Sequence, residues 1–267
     1  MDLTAFLMAA LLGVVEGVTE FLPISSTGHL ILVEDLLGFE GPSGKLFEIV
    51  IQLGAILSVV WIYRDKLWRT ALGLFSSSPA RRLTFNILIA FLPAAVVGAL
   101  AHDFIKAALF SPWVVSVALV AGGIAILLIE RLQKTYSVTA VEDLSPGRAL
   151  AIGLFQCVAM IPGVSRAAAT IMGALLMGVS RPAAAEFSFL LAIPTMFGAT
   201  AYDLYQNRDT LTSDGLAVIA VGFVVSFIVA LIVVKWLLRY ISAHDFGAFA
   251  IYRIVVGTVM MAILLAR

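Results

Sequence analysis

EGVTEFLPISSTGH, residues 16–29, is a polar segment in the middle of an apolar stretch that covers residues 3–37. A second polar segment, PGVSR at residues 162–166, interrupts the apolar stretch of residues 149–178 in the same way. Each segment contains a proline, which fixes its own φ angle and disfavours helical backbone at the residue before it. Each stretch is therefore predicted to form two half-helices around a turn, with the first half-helix ending at the proline.

The composition around these segments is that of a polytopic membrane protein. Hydrophobic residues make up 61% of the 267 residues and charged residues 13%, whereas a soluble domain has about 25% charged residues. The formal net charge is zero, so no basic surface for nucleic acid is expected. A single cysteine excludes both an internal disulfide and a cysteine metal cage.

Six further apolar stretches approach the length that crosses a bilayer, about 20 residues. They are residues 47–63, 85–101, 112–129, 185–204, 215–238 and 249–265. The chain is therefore predicted to be an all-α membrane protein. Non-helical backbone at membrane depth must be buried in protein or line a wet cavity, so the two turns are predicted walls of a site. The alternative is a continuous helix kinked at each proline.

The two halves of the chain resemble each other. Pro23 matches Pro162, and Glu48 matches Glu186, at nearly the same separation. We predict one membrane domain built of two repeats, about residues 1–132 and 145–267, each a re-entrant helix–turn–helix followed by three transmembrane helices. Because each repeat makes an odd number of crossings, the two repeats are expected to run in opposite directions.

The basic residues predict the orientation of the chain. Lysine and arginine concentrate in residues 64–82, 131–148 and 235–239, which the positive-inside rule places in the cytoplasm. The intervening loops at residues 102–106 and 203–214 carry one basic residue each and are expected outside. The first broken hairpin then enters from the outer face and the second from the cytoplasmic face, so that their turns meet inside the protein.

Glu16 and Glu20 form an acidic pair. On a helix, residues four apart lie on one face with their Cβ atoms about 6 Å apart, where two like charges repel each other. A divalent cation that prefers oxygen ligands, Mg²⁺ or Ca²⁺, would relieve the repulsion and share phosphate oxygens with a substrate. Alternatively, one carboxyl holds a proton and acts as general acid or base, or both carboxylates pair with Arg166 for packing.

Hydroxyl groups and an imidazole follow the acidic pair. Ser26 is the candidate nucleophile, activated by His29 or by Glu20. The start of a helix favours phosphate because free amide donors and the positive end of the helix dipole lie there. The other hydroxyls at the starts of the second half-helices, expected to cap the helix or to bind phosphate, are Ser25, Thr27 and Ser165.

Arg166 lies in the second turn. A guanidinium binds phosphate through two parallel hydrogen bonds, so Arg166, Ser165 and Thr170 are expected to form an oxyanion clamp. The alternative role of Arg166 is that of a counter-ion to a buried glutamate. Glu48 and Glu186 lie near the starts of equivalent spans, where a carboxylate suits the helix dipole, and are expected to support the site. Arg253 is expected to be an interfacial or internal counter-ion.

With these residues assembled, the chain resembles the BacA-type undecaprenyl-pyrophosphate phosphatases, integral membrane enzymes of bacterial cell-wall lipid recycling. The resemblance covers essentially the full length. Its carriers are EGVTEFLPISSTGH at 16–29, FEIVIQLGAIL at 47–57, PGVSRAAAT at 162–170 and EFSFLLAIP at 186–194. It implies metal-dependent hydrolysis of undecaprenyl pyrophosphate to undecaprenyl phosphate at the outer face of the bacterial cytoplasmic membrane, and a link to bacitracin resistance.

The resemblance also implies roles for single residues. The matches are Glu16 and Glu20 to the family's acidic pair, Ser26 to its proposed nucleophile, His29 to its essential histidine, and Ser165, Arg166 and Thr170 to its phosphate-binding motif. One departure is that Ala167 and Ala168 stand where the family pattern usually has Ser-Gly, from which we expect altered affinity but retained chemistry. The expected partners are the prenyl lipid substrate and membrane lipids, and a homodimer is compatible with the chain.

Two other classes of protein are alternatives to the BacA-type phosphatases. Inverted repeats with broken helices are common in transporters, so a prenyl-lipid carrier or flippase, or a combined phosphatase and carrier, is the alternative. A membrane lipid phosphatase of the acid-phosphatase type needs a histidine soon after an SR motif and another after PSG. Here Arg166 has no histidine close after it, and the PSG at residues 42–44 is followed by Lys45, which argues against that class.

Overall fold

The computed structural model describes residues 3–37, 46–109, 111–133, 135–206 and 215–266, and these residues are almost entirely helical. In these ranges one isolated bridge, between Val138 and Val179, is the nearest approach to a strand. A 3₁₀ turn covers Val141–Asp143. The helices are α1 (Leu3–Thr19), α2 (Ser26–Leu37), α3 (Leu46–Ile62), α4 (Arg64–Gly73), α5 (Ser78–Leu109), α6 (Pro112–Leu132), α7 (Pro146–Val158), α8 (Arg166–Leu176), α9 (Arg181–Gln206), α10 (Leu216–Ile241) and α11 (Gly247–Ala266).

Each of the six predicted spans corresponds to one helix. Among the described residues, α5, α6, α9, α10 and α11 are long and apolar enough to cross a membrane, and α3 adds a sixth span if it is taken together with α4, from which it is bent by 69°. The first basic segment, residues 64–82, was predicted as a loop, but it contains α4 (Arg64–Gly73) and the first turn of α5. Good helix formers such as Lys66, Leu67 and Arg69 favour this helix.

Two other predicted loops have different outcomes. The outer loop predicted at residues 102–106 lies within the last turns of α5. Most of the second predicted outer loop, residues 207–214, and the PSG segment at residues 42–44 with Lys45 lie outside the described residues.

The two predicted helix breaks are confirmed. The first separates α1 from α2, the second separates α7 from α8, and in each case the two half-helices pack against each other. A continuous helix kinked at the proline is therefore excluded. The break begins earlier than predicted, because α1 already ends at Thr19 and α7 at Val158, so Pro23 and Pro162 lie inside the turns.

Each turn ends on a serine with a positive φ angle, 74° at Ser25 and 75° at Ser165. The Oγ atom of Ser25 accepts a hydrogen bond from the amide of Gly28 at 3.4 Å, and Ser165 Oγ accepts one from the amide of Ala168 at 3.2 Å. Both serines thus cap the following helix, as predicted. A positive φ at a residue other than glycine costs about 1–3 kcal/mol, and such residues cluster at functional sites.

The first half-helix of each hairpin packs closely on a long span. A Cβ atom added to Gly17 of α1 would lie 2.7 Å from the carbonyl oxygen of Ser226 in α10, and one added to Gly153 of α7 would lie 2.3 Å from that of Ala90 in α5. Small residues of this kind let helix backbones approach each other in membranes. The glycines therefore set how closely the first half-helix of each hairpin approaches its neighbouring span.

The main apolar core holds the first turn against α8 and α9. The Phe21 ring of the turn meets Phe189 of α9 edge to face, with ring centroids 5.5 Å apart. Large apolar side chains are exposed along the outer faces of the long helices, for example Leu92, Val117 and Val259. Their exposure is what a lipid-facing surface requires.

Candidate active site at the two turns

The two turns meet at a polar cavity of about 180 Å³. Its lining residues are Glu20, Ser25, Ser26 and Thr27 from the first hairpin, Ala159, Pro162, Gly163, Ser165 and Arg166 from the second, and Gln52 from α3. The structure thus brings together six of the residues singled out from the sequence, although they come from segments about 140 positions apart.

Glu20 connects Ser26 and Arg166 in the cavity. Its Oε2 accepts a short hydrogen bond from the hydroxyl of Ser26, the first residue of α2. Its Oε1 accepts a hydrogen bond from Arg166 Nη2 at 3.1 Å, which is also an ion pair between nearly buried side chains. A carboxylate, a hydroxyl and a guanidinium are therefore linked in one chain of contacts. The hydroxyl has a proton acceptor in place, which is the arrangement that activates a nucleophile.

Arg166 is held from several sides. Its Nη1 donates to the carbonyl oxygen of Ser188 at 3.1 Å, and the guanidinium carbon lies 5.4 Å from the centre of the Phe21 ring. The buried Nε atom has no hydrogen-bond partner within the described part of the chain. Arg166 therefore combines a fixed position with one N–H donor, at Nε, that is unpaired among the described residues.

The first turns of α2 and α8 both lie at the cavity, because Ser26 and Arg166 begin these helices and line its wall. The positive end of a helix dipole lies at its N-terminus. Two such ends directed to one cavity favour an anion, and the unpaired amides of a helix start are the donors that phosphate uses. Thr27 adds a half-buried hydroxyl in the first turn of α2.

Glu16 lies one turn before Glu20 and is 1% exposed. Neither of its carboxylate oxygens has a hydrogen-bond partner among the residues that the structure describes. The charges that act on it most are those of Glu20, Arg166 and Glu48. A buried carboxylate without partners is costly unless it is protonated or meets a cation. Over the described ranges, no group of three or more histidine, cysteine or acidic side chains is arranged for a metal.

His29 does not line the cavity. Its Nδ1 donates to the carbonyl oxygen of Ser25 at 2.7 Å, since a carbonyl oxygen only accepts. With a neutral ring, Nε2 then accepts the hydrogen bond from the Tyr252 hydroxyl at 2.7 Å, and the two rings stack 5.6 Å apart. These contacts tie the imidazole to the strained cap residue Ser25 and to α11. The predicted acid–base role of His29 stays a prediction.

Thr170 also lies behind the cavity wall and is fully buried. Its hydroxyl bonds the carbonyl oxygen of Arg166 at 2.9 Å and the hydroxyl of Ser188 at 2.6 Å. Ser188 in turn accepts from the guanidinium, so this threonine contacts the residues that hold Arg166. Ala167 is fully buried and absent from the cavity lining, so the departure from the family pattern at this position removes no group from the cavity.

Glu186 lies away from the cavity in a cluster of charges. Lys66 Nζ is 2.7 Å from Glu186 Oε1 and 2.6 Å from Glu142 Oε1, so one ammonium joins α9 to the 3₁₀ turn. Burial acts to raise the pKa of the Glu142 carboxyl, but the hydrogen bond from Lys66, a backbone hydrogen bond and the charge of Lys66 together lower that pKa below its ordinary value. The sequence repeat pairs Glu186 with Glu48, but the contacts of Glu186 are with Lys66 and not with the acidic pair.

The role of Arg253, in α11, was not predicted from the sequence. This arginine is fully buried, and its five N–H donors all reach backbone carbonyl oxygens at 2.8–3.3 Å. The acceptors are Pro23 in the first turn, Gly163 and Val164 in the second, and Ala118 and Leu119 in α6. The expected counter-ion role is wrong, because these acceptors are carbonyl groups. The sequence feature that could have revealed this role is the presence of an arginine inside an apolar span, which is rare at bilayer depth.

Gln52 is the second functional candidate that was not singled out. It lies in the middle of α3 and lines the cavity opposite the two turns. A carboxamide offers both donors and an acceptor, so it suits a bound anion or an ordered water. The sequence feature that could have pointed to Gln52 is its position as the one polar side chain in the apolar segment VIQLGAIL, residues 50–57.

The fold and the cavity together define a class: a helical membrane protein with a polar cavity between two broken helices. The chain belongs to the family described as bacitracin resistance protein BacA, whose model matches residues 9–259.

Curated relatives are similar over nearly the whole chain. An undecaprenyl-diphosphatase 2 from Paramagnetospirillum magneticum is 55% identical over 98% of this chain and 100% of its own. Undecaprenyl-diphosphatases from Aromatoleum aromaticum and Sphingopyxis alaskensis are 54% and 56% identical. They cover 98% and 92% of this chain and 96% and 93% of their own lengths.

Proposed function

We propose that this protein hydrolyses undecaprenyl pyrophosphate to undecaprenyl phosphate and inorganic phosphate. The observation that carries the proposal is the contact chain from Ser26 through Glu20 to Arg166 in a polar cavity that receives two helix N-termini. The names of the relatives agree with it. The reaction regenerates the monophosphate lipid carrier of cell-wall synthesis and removes the pyrophosphate that bacitracin sequesters, which accounts for the family description.

In the proposed mechanism, Ser26 attacks the terminal phosphorus. The Oγ–P bond forms as the bridging P–O bond breaks, the Ser26 proton passes to Glu20 Oε2, and undecaprenyl phosphate leaves. A water molecule then attacks the phosphorus, the Oγ–P bond breaks, and the proton held by Glu20 returns to Ser26 Oγ, so that dihydrogen phosphate leaves and both side chains are restored. In the variant of this mechanism, a water molecule takes the place of Ser26 as nucleophile. Glu20 serves as general base in both cases, because it already accepts the Ser26 hydrogen bond.

Arg166 and the two helix N-termini stabilise the charge that spreads over the oxygens of the transferred phosphoryl group. Ser165, Ser25 and Thr27 contribute by capping the helices or by donating a hydroxyl. The contacts of Thr170 favour a positioning role for it, through Ser188 and Arg166. The hydrogen bonds of His29 favour a positioning role at Ser25.

A divalent cation, Mg²⁺ or Ca²⁺, is proposed to be held by Glu16 and Glu20. The two unpartnered oxygens of Glu16 support this, because they are hard ligands that no donor in the described protein satisfies. When bound, the cation supplies positive charge against the pyrophosphate. The alternative retained from the sequence is a proton on Glu16, which also removes its charge.

The proposed architecture is a pair of inverted repeats in the bacterial cytoplasmic membrane, with the cavity open to the outer face. Three observations support the repeat. Both hairpins begin their second helix after a positive-φ serine cap, α1 packs on α10 as α7 packs on α5, and α6 packs on α11. Each of these contacts joins a helix of one proposed repeat to a helix of the other, and exchanging the two repeats converts the α1–α10 contact into the α7–α5 contact. The homodimer stays a prediction.

Phosphate release from undecaprenyl pyrophosphate by purified protein in detergent tests the proposal. We expect release that stops with EDTA and returns with Mg²⁺ or Ca²⁺. Ser26→Ala, Glu20→Gln and Arg166→Ala should each lower kcat at least about 100-fold, since loss of one charge-stabilising donor costs about 2.7–4 kcal/mol. Ser58→Ala is the matched control, because Ser58 is a buried serine whose hydroxyl bonds the Ala55 carbonyl within α3.

Folded wild-type protein that releases no phosphate would refute the proposal. Movement of labelled lipid from one leaflet of a proteoliposome membrane to the other, without hydrolysis, would then establish the carrier alternative. Wild-type turnover by Arg166→Ala would instead remove this cavity as the active site.

A further inference from the structure

A second cavity lies on the other side of the second turn, and its wall is apolar. Its volume is about 660 Å³. The lining side chains come from one face of α6, from α7 and α8, and from the turn between them. We call this space the α6 groove; the members used below are Ala121, Ala125, Ile161, Val164 and Ala168.

The α6 groove and the polar cavity share one wall. Ile161 lines the groove and its neighbour Pro162 lines the cavity, and Val164 and Ser165 divide in the same way. Consecutive Cα atoms are about 3.8 Å apart, so a single layer of backbone separates the two spaces. The polar cavity and the apolar groove therefore lie on the two sides of one turn, next to each other.

The groove is open toward the exterior. Trp113, Val117 and Val158 at its edge are 44%, 54% and 47% exposed. Its lining residues on α6 extend from Trp113 to Ile129, which is about 24 Å along a helix axis and most of the roughly 30 Å hydrocarbon thickness of a bilayer. Both the length and the apolar wall suit an extended hydrocarbon chain.

We propose that the α6 groove binds the isoprenoid chain of the substrate while the pyrophosphate occupies the polar cavity. The inference rests on the proposed function, and it names the surface that selects the lipid. In a membrane the chain is as well solvated by lipid tails as by the groove, so burial alone gives little affinity. The groove acts by shape: it directs the first isoprene units away from the turn and so aligns the terminal phosphorus with Ser26.

Filling the groove tests the inference. Ala121 and Ala125 line the groove and are exposed, so Ala121→Trp and Ala125→Trp obstruct it without disturbing the core. A chain that cannot enter the groove leaves the terminal phosphorus misaligned with Ser26, so we expect kcat to fall roughly tenfold while the KM for undecaprenyl pyrophosphate stays within about twofold. Ile124→Trp is the matched control, because Ile124 is exposed on the same helix and does not line the groove.

A polyprenyl pyrophosphate with a diazirine in its first isoprene units gives a readout independent of turnover. We expect crosslinks in peptides from α6 and α8 that are lost in Ala121→Trp and kept in Ile124→Trp. Equal kcat values for Ala121→Trp and Ile124→Trp, or crosslinks confined to other helices, would overturn the inference. If the wild type releases no phosphate, the proposed function fails, whereas the crosslinks still report where the chain lies.

Discussion

At the residue scale, the two turns depend on one buried arginine. Arg253 donates to carbonyl oxygens of both turns and of α6, so a single guanidinium holds three separate backbone segments at one point. Carbonyl groups in turns lack helical partners, and an unsatisfied polar group at membrane depth costs several kcal/mol. The same contacts satisfy the arginine, which otherwise could not be buried.

Arg253→Lys should therefore lower both stability and activity. Lysine keeps the positive charge but offers three donors at one atom in place of five in a planar fork, so at least two carbonyl groups lose their partner. Each hydrogen bond to a charged group contributes about 1.5–3 kcal/mol. We expect the free energy of unfolding to fall by about 3 kcal/mol and kcat to fall at least tenfold, measured by thermal denaturation in detergent and by phosphate release.

Arg239→Lys is the control for this exchange, because Arg239 is an exposed arginine in the last turn of α10. It should melt and turn over like the wild type. An Arg253→Lys protein that does the same would show that the turns keep their position without the guanidinium fork.

At the element scale, the position of each broken hairpin depends on how closely its first helix approaches a long span. In α1 the glycines at 13 and 17 face α10, and a Cβ atom added to Gly13 would lie 2.5 Å from the carbonyl oxygen of Gly222. The nearest atom is a backbone carbonyl oxygen of α10, which cannot move out of the way as the end of a flexible side chain can. A larger residue therefore moves α1 itself, and the first turn moves with it.

Gly13→Ala should destabilise the protein, although alanine is the better helix former by about 1 kcal/mol. The overpacking cost of about 1–3 kcal/mol exceeds that gain. Gly98→Ala is the matched control, because its added Cβ would meet only the end of Met160 at 3.6 Å. We expect Gly13→Ala to melt lower and to lose activity, and Gly98→Ala to melt at or above the wild-type temperature. The reverse order would refute this account of the α1–α10 contact.

At the scale of the whole molecule, the three basic regions lie at one end. Lys66 after α3 pairs with Glu142 after α6, at 2.6 Å. Glu130 near the end of α6 accepts from the amide of Phe246, just before α11, at 3.0 Å, and pairs with Arg181. Charges that were separate along the sequence thus share one side, which agrees with the positive-inside rule.

Cysteine labelling tests the orientation that follows. In a Cys157→Ala background, Ser111→Cys between α5 and α6 should react with a membrane-impermeant maleimide on intact cells. Ser137→Cys and Ser242→Cys, between α6 and α7 and between α10 and α11, should react only after the membrane is permeabilised. The opposite pattern would place the basic end outside and overturn the proposed outer opening of the cavity.

The sequence by itself determined the membrane class, the helices of the five or six spans, both helix breaks and the groups that meet there. Charged residues, prolines and serines are easily recognised in an apolar chain, because each raises the free energy at membrane depth unless its polar groups find partners in the protein. For that reason Glu20, Ser26 and Arg166 could be predicted as one site before any contact was known, and Ser25 and Ser165 as helix caps.

Only the tertiary structure decided which side chains share the cavity. His29 contacts Tyr252, Thr170 contacts Ser188, and Glu186 pairs with Lys66. Gln52 and Arg253 joined the site although no motif marked them. The direction of a side chain depends on how helices far apart in the sequence pack against one another, and a local pattern of residues carries no information about that packing.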